Sequence, residues 1–427
     1  MDGMPARRVP VIMTFVAGLG AGVLLASAVA APAAAEPRAM NRPQAAAFTR
    51  SIDELISQRL ANPRLGENVG VFAVDARTGE VITDHGGGAS MIPASNMKIV
   101  TAASALATMG PNRRFTTKVR AGGPGEVILE GGGDPLLSTR ELRRLAKDVA
   151  ATLTPGQPVT VRLDNSLFPS DGRGPGWTPE YIPTDASTVQ PLARLWDYDR
   201  DPAANALRVF ADGLRARGFP VTIGTPVVAD DTPLIAESRG HTVGEAVRIM
   251  LQISENNIAE VLYRQVALAT GHVPDWQGSR LAAEEVMASL GIDTSGAALR
   301  DGSGLSREDR VTPRFLVDVL RTIRVLNPEP FRLMFEPGAL PVSGVSGTLD
   351  DRYGRFVTKR SRCAQGDVMA KTGSLYDAIG LSGVAAPDDA PERIFSILVN
   401  DRPQKYSAVT IRQAVDGLTA TISGCWR

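Results

Sequence analysis

The sequence predicts an α+β fold in which the two ends of the chain share one sheet and a smaller domain is inserted between them. Three observations carry this prediction. A helical pattern and a β-hairpin come first, two strand-like runs and a helix come last, and the texture changes over residues 117–234. The 427-residue length suits two or three units rather than one. A composition of 43% hydrophobic and 22% charged residues argues against wholesale disorder and against a polytopic membrane protein. Lys+Arg 46 and Asp+Glu 46 cancel, which removes any global electrostatic case for nucleic acid.

Residues 1–35 read as a signal peptide. Arg7 and Arg8 form a basic start, Val11 to Val29 runs without a charge, and small residues follow at Ala28-Val29-Ala30 and Ala33-Ala34-Ala35. The layout predicts export to the periplasm or extracellular envelope, with an uncleaved membrane tether as the alternative. Residues 45–61 then place Phe48, Ile52, Ile56 and Leu60 at helical spacing. Val69–Asp75 and Glu80–Thr83 flank a Gly-containing turn and predict a hairpin. A helix opens after Pro93. Between 117 and 234 the pattern reduces to short β runs, a Gly-Gly-Gly-Asp-Pro turn at 131–135 and a long loop from Pro169 to Pro183. Helical patterns return over Val243–Thr270, Arg280–Leu290 and Pro313–Leu326. Gly380–Ala385 and Ile394–Asn400 predict paired strands, and Ser407–Ile422 predicts a closing helix. The expected layout is a main domain over 36–116 and 235–427, with the inserted domain over 117–234.

Export bears on Cys363 and Cys425. In an oxidising compartment two cysteines are most simply one disulfide, two buried free thiols being the alternative. The bridge would tie the C-terminal tail to the segment before Lys371. With His85, His241 and His272 scattered along the chain, no metal site is expected. Gly18-Leu-Gly-Ala-Gly22 lies inside the signal peptide, so no cofactor is expected from it either.

Chemistry concentrates in three short motifs: Ser95-Asn-Met-Lys98, Ser254-Glu-Asn256 and Lys371-Thr-Gly373. Sets of this kind, in this order, occur in penicillin-binding proteins and class A β-lactamases. A serine hydroxyl is a weak nucleophile until a base takes its proton. Residues three apart on a helix share a face, so Lys98 can reach Ser95. To act as a base, a lysine needs a pKa lowered by burial or by a neighbouring cation, a role open to Lys371. Lys371 could also attract a substrate carboxylate. Ser254 could relay a proton to the leaving amine, and Asn256 could hold Lys98 and a substrate amide together. The two donors of an oxyanion hole would be the backbone N–H groups of Ser95 and Ser374. The chain has only six lysines, and a lysine kept where arginine is the habit suggests an amine that must titrate.

These residues carry a resemblance. The sequence is similar to the D-alanyl-D-alanine carboxypeptidase/endopeptidase family of class C low-molecular-mass penicillin-binding proteins, peptidase family S13. The matching stretches are Pro93–Lys98, Gly131–Pro135, Ser254–Asn257, Asp301–Ser306, Gly347–Leu349 and Lys371–Gly373, which span most of the chain after residue 35. The resemblance implies an antiparallel sheet with helices on both sides and extra domain material between the first two motifs. It also implies Ser95 as the acylated serine, Lys98 as its base, and Ser254, Asn256 and Lys371 completing the site. Thr372, Gly373 and Ser374 would bind substrate. Ser374 stands where threonine is more usual, and the following Leu-Tyr-Asp is unusual. Asp301 could contribute to catalysis, but beside glycines it reads first as a turn builder. The expected activity is removal of the terminal D-Ala from peptidoglycan stem peptides through an acyl-enzyme, with endopeptidase action on the same peptides left open and β-lactams as inhibitors. The rivals are a β-lactamase or esterase on the same fold and a catalytically silent cell-wall binding protein.

Overall fold

The structure, a computed structural model, describes residues 51–388 and 390–426. The signal peptide expected over 1–35 lies outside the described residues. No described helix is long and apolar enough to cross a membrane.

Ser51 caps the first helix, Ile52–Leu60, in a reciprocal capping box with Glu54. The main sheet has the order β2 (Val81–His85), β1 (Asn68–Asp75), β10 (Arg393–Asn400), β9 (Ile379–Ala385), β8 (Val368–Ser374), with every neighbouring pair antiparallel. The two ends of the chain meet in it, Asn68 standing opposite Asn400 and Asp75 opposite Arg393. β9 is buried along its whole length, as expected of a strand covered on both faces.

Two apolar layers follow from the alternation along these strands. Val71, Ala73, Phe395 and Ile397 face the first helix and the last one, Ala408–Ser423, which brings Ile56, Ile411, Val415 and Leu418. Phe72, Val74, Ile394 and Leu398 face the helices Met97–Met109, Val243–Ile253, Asn256–Ala269, Trp276–Ser289 and Pro313–Arg321. The expected α+β arrangement of an antiparallel sheet between helical layers is what the chain forms.

A second sheet takes its strands from the middle of the chain, in the order β6 (Val221–Ile223), β5 (Val159–Asp164), β4 (Glu126–Glu130), β3 (Lys118–Ala121), β7 (Leu234–Glu237). It is mixed, because β4, β5 and β6 run parallel to one another. Parallel neighbours need crossovers, and the helices Thr139–Ala150 and Pro202–Arg215 supply them. Neither helix was read from the sequence, although Leu142, Leu145, Ala146 and Val149 form a buried stripe at helical spacing.

A second difference bears on the site. The pattern over Val243–Thr270 reads as one helix, but the chain breaks it at Ser254, which adopts a left-handed conformation (φ 63°, ψ 36°). Glu255 is extended, and the next helix starts at Asn256. The Ser254-Glu-Asn256 motif is therefore a junction between two helices. Cys363 and Cys425 form a disulfide with Cα atoms 5.8 Å apart, within the separation a bridge requires.

Candidate active site

Ser95 lies in a single 3₁₀ turn, Ala94–Asn96, that leads into the Met97–Met109 helix. Ala94 takes a left-handed φ of 49°, a conformation that costs an alanine free energy and is held by its surroundings. The surroundings are specific. The Asn400 side chain accepts from Ile92 N at 2.7 Å and donates to Ile92 O at 3.1 Å, clipping the approach to the turn onto β10. Buried Asn96 lies over Gly373 and Gly380, where a Cβ would stand 2.5 and 2.2 Å from its Nδ2. Gly304 (φ 81°) passes so close that a Cβ would stand 1.9 Å from Ala94 O. The end of β8 and the loop after Asp301 thus meet at the serine.

Lys98 follows one turn later and is fully buried. Its Nζ donates to Ser95 Oγ (3.1 Å), Asn256 Oδ1 (2.8 Å) and Ser303 O (2.7 Å). Asn256, the first residue of its helix, also donates from Nδ2 to Asp185 O at 2.8 Å, so its amide is oriented from both ends. The helix junction explains why Asn256 reaches the lysine. In one continuous helix, residues two apart would point to different sides.

Lys371 is also fully buried, in the edge strand β8, and donates to Thr372 O at 2.9 Å. Its neighbour Thr372 shares a hydrogen bond of 2.7 Å with Thr348. Ser374 ends the strand at the surface, its hydroxyl bonded to Gly373 O (2.8 Å) and to Arg412 (3.1 Å). Ser254 sits half-buried at the helix junction. Ser95, Lys98 and Asn256 are thus in direct contact, while Thr372, Gly373 and Ser374 line the adjoining strand end.

Burial lowers the Lys98 ammonium to about 8, against the pull of Asp301, Glu260, Glu255 and Asp309. Lys371 is lowered well below the ordinary lysine value, by burial first and then by the Lys98 charge. Of the two causes the sequence offers for Lys98, burial is the one that acts, and the Lys98 charge in turn depresses Lys371.

Of the carboxylates beneath Lys98, Glu260 and Asp309 were missed by sequence reasoning. Glu260 accepts from Gly302 N (3.0 Å) and Ser303 N (2.8 Å). Asp301 accepts from Gly304 N, Ser306 N and Trp177 Nε1, each at 2.7 Å. Together they fold the loop so that Ser303 O points at Lys98, which gives Asp301 the expected turn-building part. Burial raises both Glu260 and Asp309, with Asp301 adding to each shift. Of these residues only Asp301 lay in a visible motif. Among the described residues, Asp134, Glu141 and His241 also lie together as possible metal ligands. Their atoms are already engaged, Asp134 by His241 (3.2 Å) and Leu136 N (2.9 Å), Glu141 by Ser138 (2.6 Å).

Comparisons with known proteins identify the family. The model of the D-Ala-D-Ala carboxypeptidase 3 (S13) family matches residues 52–197 and 181–422. Carboxypeptidase DacB of Mycolicibacterium smegmatis is 32% identical over 402 residues, covering 88% of this chain and 84% of its own. A D-alanyl-D-alanine carboxypeptidase of Actinomadura sp. is 28% identical over 447 residues, covering 81% and 80%. In fold, the crystal structure of penicillin binding protein 4 (dacB) from Haemophilus influenzae is similar, with a TM-score of 0.73 at 22% identity over 87% of this chain and 99% of that one. With its motifs drawn to one end of an antiparallel sheet and a family match along most of its length, this chain belongs to the D-Ala-D-Ala carboxypeptidase 3 (S13) family.

Proposed function

We propose that this chain is an exported serine D,D-carboxypeptidase of the cell envelope that removes the terminal D-Ala of peptidoglycan stem peptides through an acyl-enzyme, and that β-lactams acylate the same serine. The observation that carries this reading is the buried Lys98 ammonium, held 3.1 Å from Ser95 Oγ and lowered to about 8. An ordinary surface lysine would be charged and unable to take a proton at neutral pH.

In the neutral form Lys98 accepts the Ser95 proton as Oγ attacks the carbonyl carbon of the scissile peptide. The resulting oxyanion is received by the backbone N–H groups of Ser95 and Ser374. That pairing is supported by the close packing of Gly373 against Pro93 O and Ala94. The tetrahedral centre collapses, the C–N bond breaks, and the proton passes to the leaving amine of D-Ala, with Ser254 as the relay. Water then attacks the ester carbonyl, giving the shortened peptide and free Ser95. Asn256 orients Lys98 throughout, and Thr372, Gly373 and Ser374 hold the substrate backbone. Residues 117–234 form an inserted domain in this reading, with its second sheet running on to Glu237 through β7.

The test is release of D-Ala from a synthetic peptide ending in D-Ala-D-Ala. The wild type should release it, and Ser95→Ala should lose about 10³-fold or more while unfolding at an unchanged temperature. Turnover retained in Ser95→Ala removes the serine from the mechanism.

A further inference from the structure

We infer that Arg412 reads the free carboxylate of the residue that leaves, and so favours peptides whose leaving residue ends in a carboxylate over those continued or capped there as an amide. The inference rests on the proposed roles of Ser95 and the Lys371 strand. Side chains alternate along β8, so Thr372 and Ser374 share its open side while Lys371 and Gly373 are buried. Arg412 stands one turn into the Ala408–Ser423 helix. Its Nη2 donates to Ser374 Oγ at 3.1 Å, at the surface. The Ser374 hydroxyl in turn donates to Gly373 O at 2.8 Å. The end of the strand therefore offers hydroxyls beside a guanidinium.

Charge accounting favours an anion there. Nearby Arg355 is neutralised by buried Asp416, which accepts from it at 2.6 Å. Arg412 has no ion-pair partner among the described residues; Arg355 and Arg402 add positive potential to its surroundings, and the opposing charge, Asp416, is bound to Arg355. Lys371, which the sequence offered as the cation for a substrate carboxylate, is fully buried and held well below the ordinary lysine value by that burial, whereas the Arg412 guanidinium meets Ser374 at the surface. The task passes to Arg412, whose planar fork suits a carboxylate.

The position fits the substrate. If Ser374 N receives the scissile carbonyl oxygen, the next residue of the peptide begins at the Ser374 side chain. In a stem peptide that residue is D-Ala with a free carboxylate. In a peptide continued beyond the D-Ala, or capped there, an uncharged amide occupies the same place. It cannot satisfy the guanidinium as a carboxylate does, which is discrimination by charge.

The experiment compares two peptides that differ only at the C-terminus, D-Ala-D-Ala free acid and D-Ala-D-alaninamide, with kcat/KM measured for cleavage between the two residues. The wild type should favour the free acid, and Arg412→Gln should shrink that preference about 10- to 100-fold, chiefly through KM. Arg412→Lys should keep most of it. Equal losses on both peptides in Arg412→Gln would make the arginine merely structural and overturn the inference. A wild type that cleaves acid and amide equally would overturn it without any variant, so it stands or falls even if Arg412→Gln does not fold. If the Ser95 reading is the one at fault, the outcome differs: Ser95→Ala still cleaves both peptides, or the wild type cleaves neither.

Discussion

The rate of β-lactam acylation should climb steeply between pH 6 and pH 8, because Lys98 has to be neutral to accept the serine proton. Its ammonium is fully buried and lowered to about 8. The neutral fraction is then about 1% at pH 6, about 9% at pH 7 and about one half at pH 8, so the second-order acylation rate should rise about 50-fold across that span. The sign follows from burial. Desolvation disfavours the charged form, which moves the inflection down from the ordinary lysine range into the working range of the enzyme. The assay is the rate of labelling by a fluorescent penicillin at each pH, with thermal unfolding followed in parallel to exclude denaturation. Lys98→Arg keeps the charge but removes the titration, so it should label at least about 10²-fold more slowly and without the inflection. A wild-type profile that is flat from pH 6 to pH 8, or Lys98→Arg labelling at the normal rate, would refute lysine as the base.

Two further predictions concern what holds the site in place. Gly304→Ala would bring a Cβ to 1.9 Å from Ala94 O at a φ of 81°; the Ser95 turn has to move, and penicillin labelling should fall about 10-fold or more, with a stability loss of about 2–3 kcal/mol in denaturant titration. Replacing Cys363 and Cys425 by serine opens a loop of sequence separation 62 and should cost about 4 kcal/mol on the chain-entropy model; an unchanged unfolding temperature on comparing oxidised wild type with the double variant would contradict it.

How much could be read beforehand depended on whether the signal was local. The hairpin of β1 and β2, the paired strands β9 and β10, and the capped last helix all declare themselves through period-2 or period-3.6 patterns within a short window. Ser95, Lys98 and Lys371 were visible because each sits in a motif whose spacing is itself the geometry. The break at Ser254 was invisible because its left-handed turn falls on a serine, with neither glycine nor proline to punctuate an apolar run. The parallel pairing of β4, β5 and β6 was equally hidden, since it joins strands far apart in the sequence that no local pattern pairs. Glu255 and Glu260 belong to one helix start and Asp301 and Asp309 to one loop, and the two pairs meet near Lys98 only after the chain has packed. Arg412, one arginine in an arginine-rich chain, acquires its meaning from Ser374, which lies 38 residues away.

The most direct test of serine acylation is where a β-lactam attaches. After incubation with penicillin, the intact protein should gain one adduct. The tryptic peptide Thr78–Lys98 should carry it, with fragmentation placing the mass on Ser95 rather than Ser90. An adduct on any other peptide, or none on protein that still releases D-Ala, would contradict the account.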